Sequence, residues 1–175
     1  MRQLLVLGFL LMMLSGFQKA WPAKLTAKVE KTVELTFETT SYELKGIEIS
    51  DDAENQTSAE LKNSLFEVNS EEKLLGYLYV NQAPSMKNVF DYAVIFDPAY
   101  KIINAKVLIY RETHGKQIGA KRWLSQFFGM DLSDRPKLGE DVDGITGATI
   151  SVKGMTTAVN HLLESIDKLH QEGNI

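Results

Sequence analysis

Nine consecutive residues, Asp143-Gly144-Ile145-Thr146-Gly147-Ala148-Thr149-Ile150-Ser151, gather three hydroxyls, two glycines and a carboxylate just before a long helical pattern. Gly144 and Gly147 permit positive φ and close backbone approach. Backbone N–H groups of such a turn, aligned with a helix N-terminus, make a seat for phosphate. An ordinary helix start reads the same way, with Ser151 as N-cap and Thr149 just outside it. The residues alone leave both readings open. They do exclude a Walker loop, because no Gly-Lys-Ser/Thr follows and no lysine is placed for a nucleotide's terminal phosphates.

The elements that must position this turn lie on either side of it. After it, Met155, Val159, Leu162, Ile166 and Leu169 recur at helical spacing. Before it, Ala120, Trp123, Leu124, Phe127 and Phe128 predict an amphipathic aromatic helix ended by Gly129. Further upstream the period falls to two. Strands are predicted at 65–68, at 74–81 with Leu75, Tyr77 and Tyr79 on one face, at 89–96, and at 102–110 with Ile103, Ala105, Val107 and Ile109 on one face. Polar turns at 69–73, 82–87 and 97–101 separate them, which predicts an antiparallel meander. Residues 24–50 are ambiguous. Leu25, Val29 and Val33 fit a helix, whereas Val33, Leu35 and Phe37 alternate like a strand; residues 42–49 are strand-like, with Gly46 as a candidate bulge. Residues 51–64 read as a loop or short surface helix. The fold class expected is α+β: an antiparallel meander sheet packed with an aromatic helix and a long C-terminal helix.

The chain has 175 residues, a length for one domain, and no cysteine. Disulfides, thiolate metal sites, cysteine-ligated clusters and c-type haem attachment are thereby excluded. Only His114, His161 and His170 are present, and no metal site is expected. Residues 4–14 are unbroken apolar sequence after Arg2, shorter than the roughly 20 residues of a membrane span. Residues 1–23 therefore read as a signal peptide, cut after Ala20 or Ala23, or as an uncut N-terminal anchor; residues 24–175 form the single domain. Phe17 stands where a lipoprotein box would carry cysteine. Without residues 1–23 the chain carries 17 basic and 23 acidic residues, a net charge of −6 with no basic cluster. That balance argues against nucleic acid or anionic lipid as partner.

The nine-residue string resembles the flavinylation motif of FMN-binding domains, Asp-x-x-Ser/Thr-Gly-Ala-Thr-x-Ser/Thr. Asp143, Thr146, Gly147, Ala148, Thr149 and Ser151 match it. Tyr110-Arg111-Glu112-Thr113-His114-Gly115 resembles the family's loop after the last long strand, and residues 121–129 resemble the helix after that loop. The resemblance covers about 90–175 and fades over 24–64. Departures are His114, where relatives in membrane redox pumps have proline, and Lys116-Gln117, where small exported relatives often have Gly-Glu.

The resemblance implies FMN joined through a phosphoester to Thr149, with Arg111, Glu112, Trp123 and Phe127 walling the flavin. By spacing alone, Trp123 and Phe127 are core residues, and Arg111 with Glu112 are a strand-end ion pair. A threonine hydroxyl is a poor nucleophile, and no base stands beside Thr149 in sequence, so a separate flavin transferase is expected. The leading expectation is an exported electron carrier between a membrane reductase and an extracytoplasmic acceptor, with a membrane-bound or exported redox partner. It is a redox-active carrier rather than a classical turnover enzyme. A small flavin-dependent reductase is the enzyme alternative, although no histidine–arginine pair lies near the motif. A non-catalytic exported domain with an unmodified turn is the third.

Overall fold

The computed structural model describes residues 21–71 and 73–175. The apolar run at 4–14, read as a leader, lies outside the described residues. Trp21, Pro22 and Ala23, assigned to the leader's end, lie within them: Trp21 meets Phe66 edge-on at 5.4 Å, and Pro22 precedes a helix, α1 (Ala23–Phe37).

The competing patterns at 24–37 resolve in favour of that helix. Leu25, Val29 and Val33 are buried on one face, while Leu35, which a strand would bury with Val33, is 70% exposed. Glu38 ends the helix in the left-handed region at φ 54°.

Five strands follow as a meander in chain order: β1 (Glu43–Gly46), β2 (Leu65–Ser70), β3 (Lys73–Pro84), β4 (Val89–Phe96) and β5 (Ile102–Ile109), each antiparallel to the next. A four-residue helix, α2 (Asp51–Glu54), fills the connection before β2. β2 and β3 run further into the 69–73 turn than predicted, and β3 runs through Pro84 into the 82–87 loop.

The sheet is covered on both faces. α1 packs on one, against Phe66, Val68, Leu78, Val80, Ala93 and Ile95. The long helix α4 (Thr149–Gln171) and the aromatic segment cover the other, against Tyr79, Phe90, Tyr92, Val94 and Phe96. Burial on both sides explains why β4 is nearly continuous apolar sequence rather than a clean alternation.

Three bulges correct the expected faces. Val68 pairs with Gly76 and Asn69 with Leu74, so Leu75 is the extra residue; it turns toward α1, away from Tyr77 and Tyr79. In β5 the extra residues are Ile103 and Leu108. Ile103 and Ile109 consequently face α1, while Ala105 and Val107 face α4. An inserted residue shifts the period-two alternation by one, which no local pattern announces. Gly46, the expected bulge, is in regular register opposite Phe66.

The aromatic helix is shorter than its apolar stripe. It is one α-turn, α3 (Lys121–Leu124), continued by a 3₁₀ turn at Ser125–Phe127, and Gly129 closes it at φ 87°. α4 lies close to the sheet because Gly154 allows it: a Cβ there would stand 2.2 Å from the carbonyl oxygen of Pro84. Gly154→Ala is expected to lower stability by about 1–3 kcal/mol through overpacking, read as a lower denaturant midpoint with an unchanged slope.

Candidate functional site

The motif turn is held from one side by the aromatic segment. Trp123 Nε1 donates to the carbonyl of Asp143 at 2.8 Å, and the Asp143 N–H donates to Gln126 Oε1 at 2.9 Å. Both backbone polar groups of Asp143 are thus fixed by α3 and its 3₁₀ continuation. The chain then turns at Ile145–Ala148, closed by Ala148 N–H to the Ile145 carbonyl at 3.0 Å. Gly147 occupies the position that requires φ near +80°, and its φ is 81°.

Ala148 is buried, and the opposing loop reaches it through Gly115. A Cβ on Gly115 would lie 2.9 Å from the Ala148 Cβ and 2.8 Å from the Tyr110 hydroxyl oxygen, at a φ of 76°. Two small residues therefore bring the Tyr110–Gly115 loop against the Gly-Ala-Thr turn.

Ala148, not Ser151, is the N-cap of α4, and no side chain caps it. This corrects the helix-start reading: Thr149 is the first helical residue and is exposed, whereas Ser151 sits inside the first turn at 3% exposure. The first intrahelical bond is Val152 N–H to the Ala148 carbonyl. Among the described residues nothing accepts from the N–H groups of Thr149, Ile150 and Ser151. An uncapped turn with three free donors at the positive end of a 23-residue helix suits a phosphate group.

Ser151 is missing from the cap because it is used elsewhere. Its Oγ lies 3.0 Å from Ser85 Oγ and 2.9 Å from the Tyr110 hydroxyl. Ser85 Oγ in turn donates to Glu112 Oε1 at 3.0 Å. The same carboxylate oxygen accepts from Lys87 N–H at 2.7 Å and Asn88 N–H at 2.9 Å, the tip of the β3–β4 hairpin. An ionised carboxylate only accepts, so the direction of the whole chain is fixed. Ser85 donates to Glu112, Ser151 donates to Ser85, and Tyr110 donates to Ser151.

Glu112 is thus a hairpin anchor. The Lys87 N–H foremost, with the Asn88 N–H and the Ser85 hydroxyl, holds its carboxyl below the usual range against an opposing push from burial. Arg111 points elsewhere. Its NH2 meets Asp91 Oδ2 at 2.5 Å and its NH1 donates to the Val89 carbonyl at 3.0 Å. The expected Arg111–Glu112 pair does not form; each serves a different part of β4 and its hairpin. Asp91 is buried, and Gln82 Nε2 satisfies its second oxygen at 2.8 Å.

The structure therefore gathers Asp143 with Trp123, Ala148 with the Tyr110–Gly115 loop, and Ser151 with Glu112. Asp143, Thr146, Gly147 and Thr149 are exposed. Phe127 is completely buried behind Trp123, ring to ring at 5.6 Å, and offers no face at the surface. Ser85, Asp91 and Gln82 are the partners that the sequence did not reveal. Asp91 carried one signal, a lone charge inside an apolar strand; Ser85 carried none. Among the described residues no cluster of ligating side chains suits a metal ion.

Two concavities flank the turn. A groove of about 570 Å³ runs between α4 and the end of β3, and includes Ile150, Lys153, Tyr79 and Asn81. Burial pushes the Tyr79 hydroxyl up to about 12, so it stays protonated at its floor. A smaller hollow of about 280 Å³ lies between Trp123, Arg122 and Gly144-Ile145.

The model of the FMN-binding domain family matches residues 86–164, which span β4, β5, the Tyr110–Gly115 loop, the motif turn and most of α4. The likeness to that family is confined to this stretch. No curated protein matches the chain. Among solved structures the chain is similar to the crystal structure of Shewanella oneidensis NqrC, at 17% identity over 82% of this chain and 94% of that one, with a TM-score of 0.61. At that identity the likeness is one of fold.

Ser151→Ala strands the Tyr110 hydroxyl and removes a donor from Ser85, and is expected to cost about 1–3 kcal/mol, measured by urea unfolding. Glu112 adds a pH dependence of known sign. Its folded pKa lies below its unfolded value of roughly 4.3. The unfolded chain therefore binds more protons near that pH, and stability falls as pH drops through the folded value. Glu112→Gln is expected to flatten that acid limb in unfolding curves taken from pH 6 down to about pH 3.

Proposed function

We propose that this protein carries FMN covalently, through a phosphoester on the Thr149 hydroxyl, and that it works as an exported electron carrier. The observation that carries the proposal is the exposed Thr149 on an uncapped helix start, within a turn whose neighbours are pinned on both sides. The FMN-binding domain match over 86–164 agrees with it.

The residues divide the work. Thr149 supplies the bonded oxygen. The free N–H groups of its own turn receive the phosphate, with the helix dipole favouring the negative charge. Gly147 and Ala148 keep the approach to Thr149 narrow in side-chain bulk. Ser151, held by Ser85 and Tyr110, fixes the first turn of α4. The flavin, when bound, supplies the electron-transfer chemistry, and the protein supplies its place and tuning.

Among the described residues no base is hydrogen-bonded to Thr149, and the bonds that hold Asp143 are those of its backbone, to Trp123 and Gln126. Attachment is therefore the task of a separate flavin transferase that recognises the exposed turn. Electrons then pass between a membrane-bound reductase and an extracytoplasmic acceptor. The apolar run at 4–14 supports export, with residues 1–23 as signal peptide or anchor. A cut after Ala20 leaves Trp21 on Phe66, whereas a cut after Ala23 removes that contact. Among the described residues no helix is long and apolar enough to cross a membrane.

Mature protein from cells that possess the transferase should weigh one FMN less one water more than its polypeptide. Thr149→Ala should weigh the polypeptide alone. An unmodified wild-type mass under those conditions refutes covalent attachment.

A further inference from the structure

The groove between α4 and the end of β3 has two unlike walls. Lys153, Thr157 and His161 border it from α4, each four residues from the next and so in one stripe along the helix. Tyr79, Asn81 and Tyr92 border it from the sheet. The smaller hollow takes its lining from 117–126 and 143–145, so the two concavities share no residue. Ile150 is the one residue of the 143–151 string that borders the groove.

The floor holds one proton that has no acceptor. Tyr79 is 1% exposed and Tyr92 2%, with their rings 6.0 Å apart. Asn81 Oδ1 accepts the Gln82 N–H at 2.7 Å, which turns its Nδ2 to donate to the Tyr79 hydroxyl oxygen, also at 2.7 Å. The Tyr92 hydroxyl donates to the same oxygen, and burial keeps both tyrosines protonated. Tyr79 must then direct its own proton elsewhere, and among the described residues nothing accepts it. A buried donor without an acceptor is costly, so the groove side must supply one. Lys153 faces the same space, and among the described residues it makes no ion pair. Ile150, half exposed, and Pro84 add an aliphatic wall. The acid that borders the groove, Glu60, follows Ser58, whose Oγ donates to the His161 carbonyl at 3.5 Å. It therefore belongs to the His161 end, about two helical turns from Lys153.

We propose that this groove is a binding site for a small aliphatic carboxylate. The carboxylate accepts the proton of Tyr79 and faces the Lys153 ammonium and the Thr157 hydroxyl across the groove, while the tail lies on Ile150 and Pro84. An ionised carboxylate only accepts, which matches three donors and a cation. Asn81 is a positioning residue: by donating to the Tyr79 oxygen it leaves Tyr79 to donate outward. The site is independent of what Thr149 carries, since Thr149 does not border the groove.

The test is calorimetric titration of the full chain with sodium pentanoate, with the fold of each variant checked by urea unfolding. Saturable binding is expected. Lys153→Gln and Tyr79→Phe should each weaken it about tenfold, the loss of one hydrogen bond to a charged group. Lys106→Gln, which removes the same charge from β5, should bind as wild type does. Pentanol, with the same tail and no charge, should bind far more weakly than pentanoate. Absence of saturable pentanoate binding overturns the proposal and leaves the Tyr79 proton to water. Wild-type affinity in Lys153→Gln or in a folded Tyr79→Phe overturns it too, as does pentanol that binds as tightly as pentanoate. If Tyr79→Phe does not fold, Lys153→Gln and the pentanol comparison still decide.

Discussion

One carboxylate fixes the geometry around Thr149. Glu112 accepts from two hairpin N–H groups and from Ser85, and its charge gives every later hydroxyl its direction. Ser151 can receive Tyr110 only because it has spent its own proton on Ser85. The first turn of α4, the β3–β4 hairpin and the Tyr110–Gly115 loop are thereby parts of one network, drawn from segments up to 66 residues apart in sequence. Such a network is most stabilising when complete, because Ser151, its buried member, would otherwise be a polar group without a partner.

The same economy explains the small residues. Gly154 lets α4 sit on Pro84, and Gly115 lets the loop sit on Ala148; without those two approaches the hydroxyls would be too far apart to meet. Behind them, the sheet is a rigid plate clamped between α1 and α4, and Trp123 holds the backbone of Asp143 from the third side. Thr149 is consequently exposed on a turn that is itself immobilised, which combines access with a fixed position.

Much of this was legible in the sequence. The long helical repeat of α4, the β-branched and aromatic run of β4 and the Gly-Ala-Thr turn are local signals, and the meander and α+β class followed from them. What failed was whatever depends on distant partners. Val33, Leu35 and Phe37 alternated like a strand until packing on Phe66 and Leu78 chose the helix. Leu75, Ile103 and Leu108 changed face through bulges set by pairing across strands. Ser151 looked like a cap, since its type and position fit one; its hydroxyl was drawn inward by Tyr110 and Ser85, which no window around residue 151 contains. Trp123 was legible as apolar, but its Nε1 bond to the Asp143 carbonyl, which decides its role, was not.

The bulges have a consequence for solubility. β1 and β5 are the edges of the sheet, and an open edge is a template on which a second chain can add a strand. β1 is only four residues long. β5 is longer, but Gly129 and Met130 occupy the backbone of Ile102 at its start, through bonds of 2.8 Å each. Ile103 and Leu108 then break the spacing of what remains, and Lys106 stands exposed between them. Among the described residues neither border presents the long, flat row of donors and acceptors on which copies of a chain could polymerise.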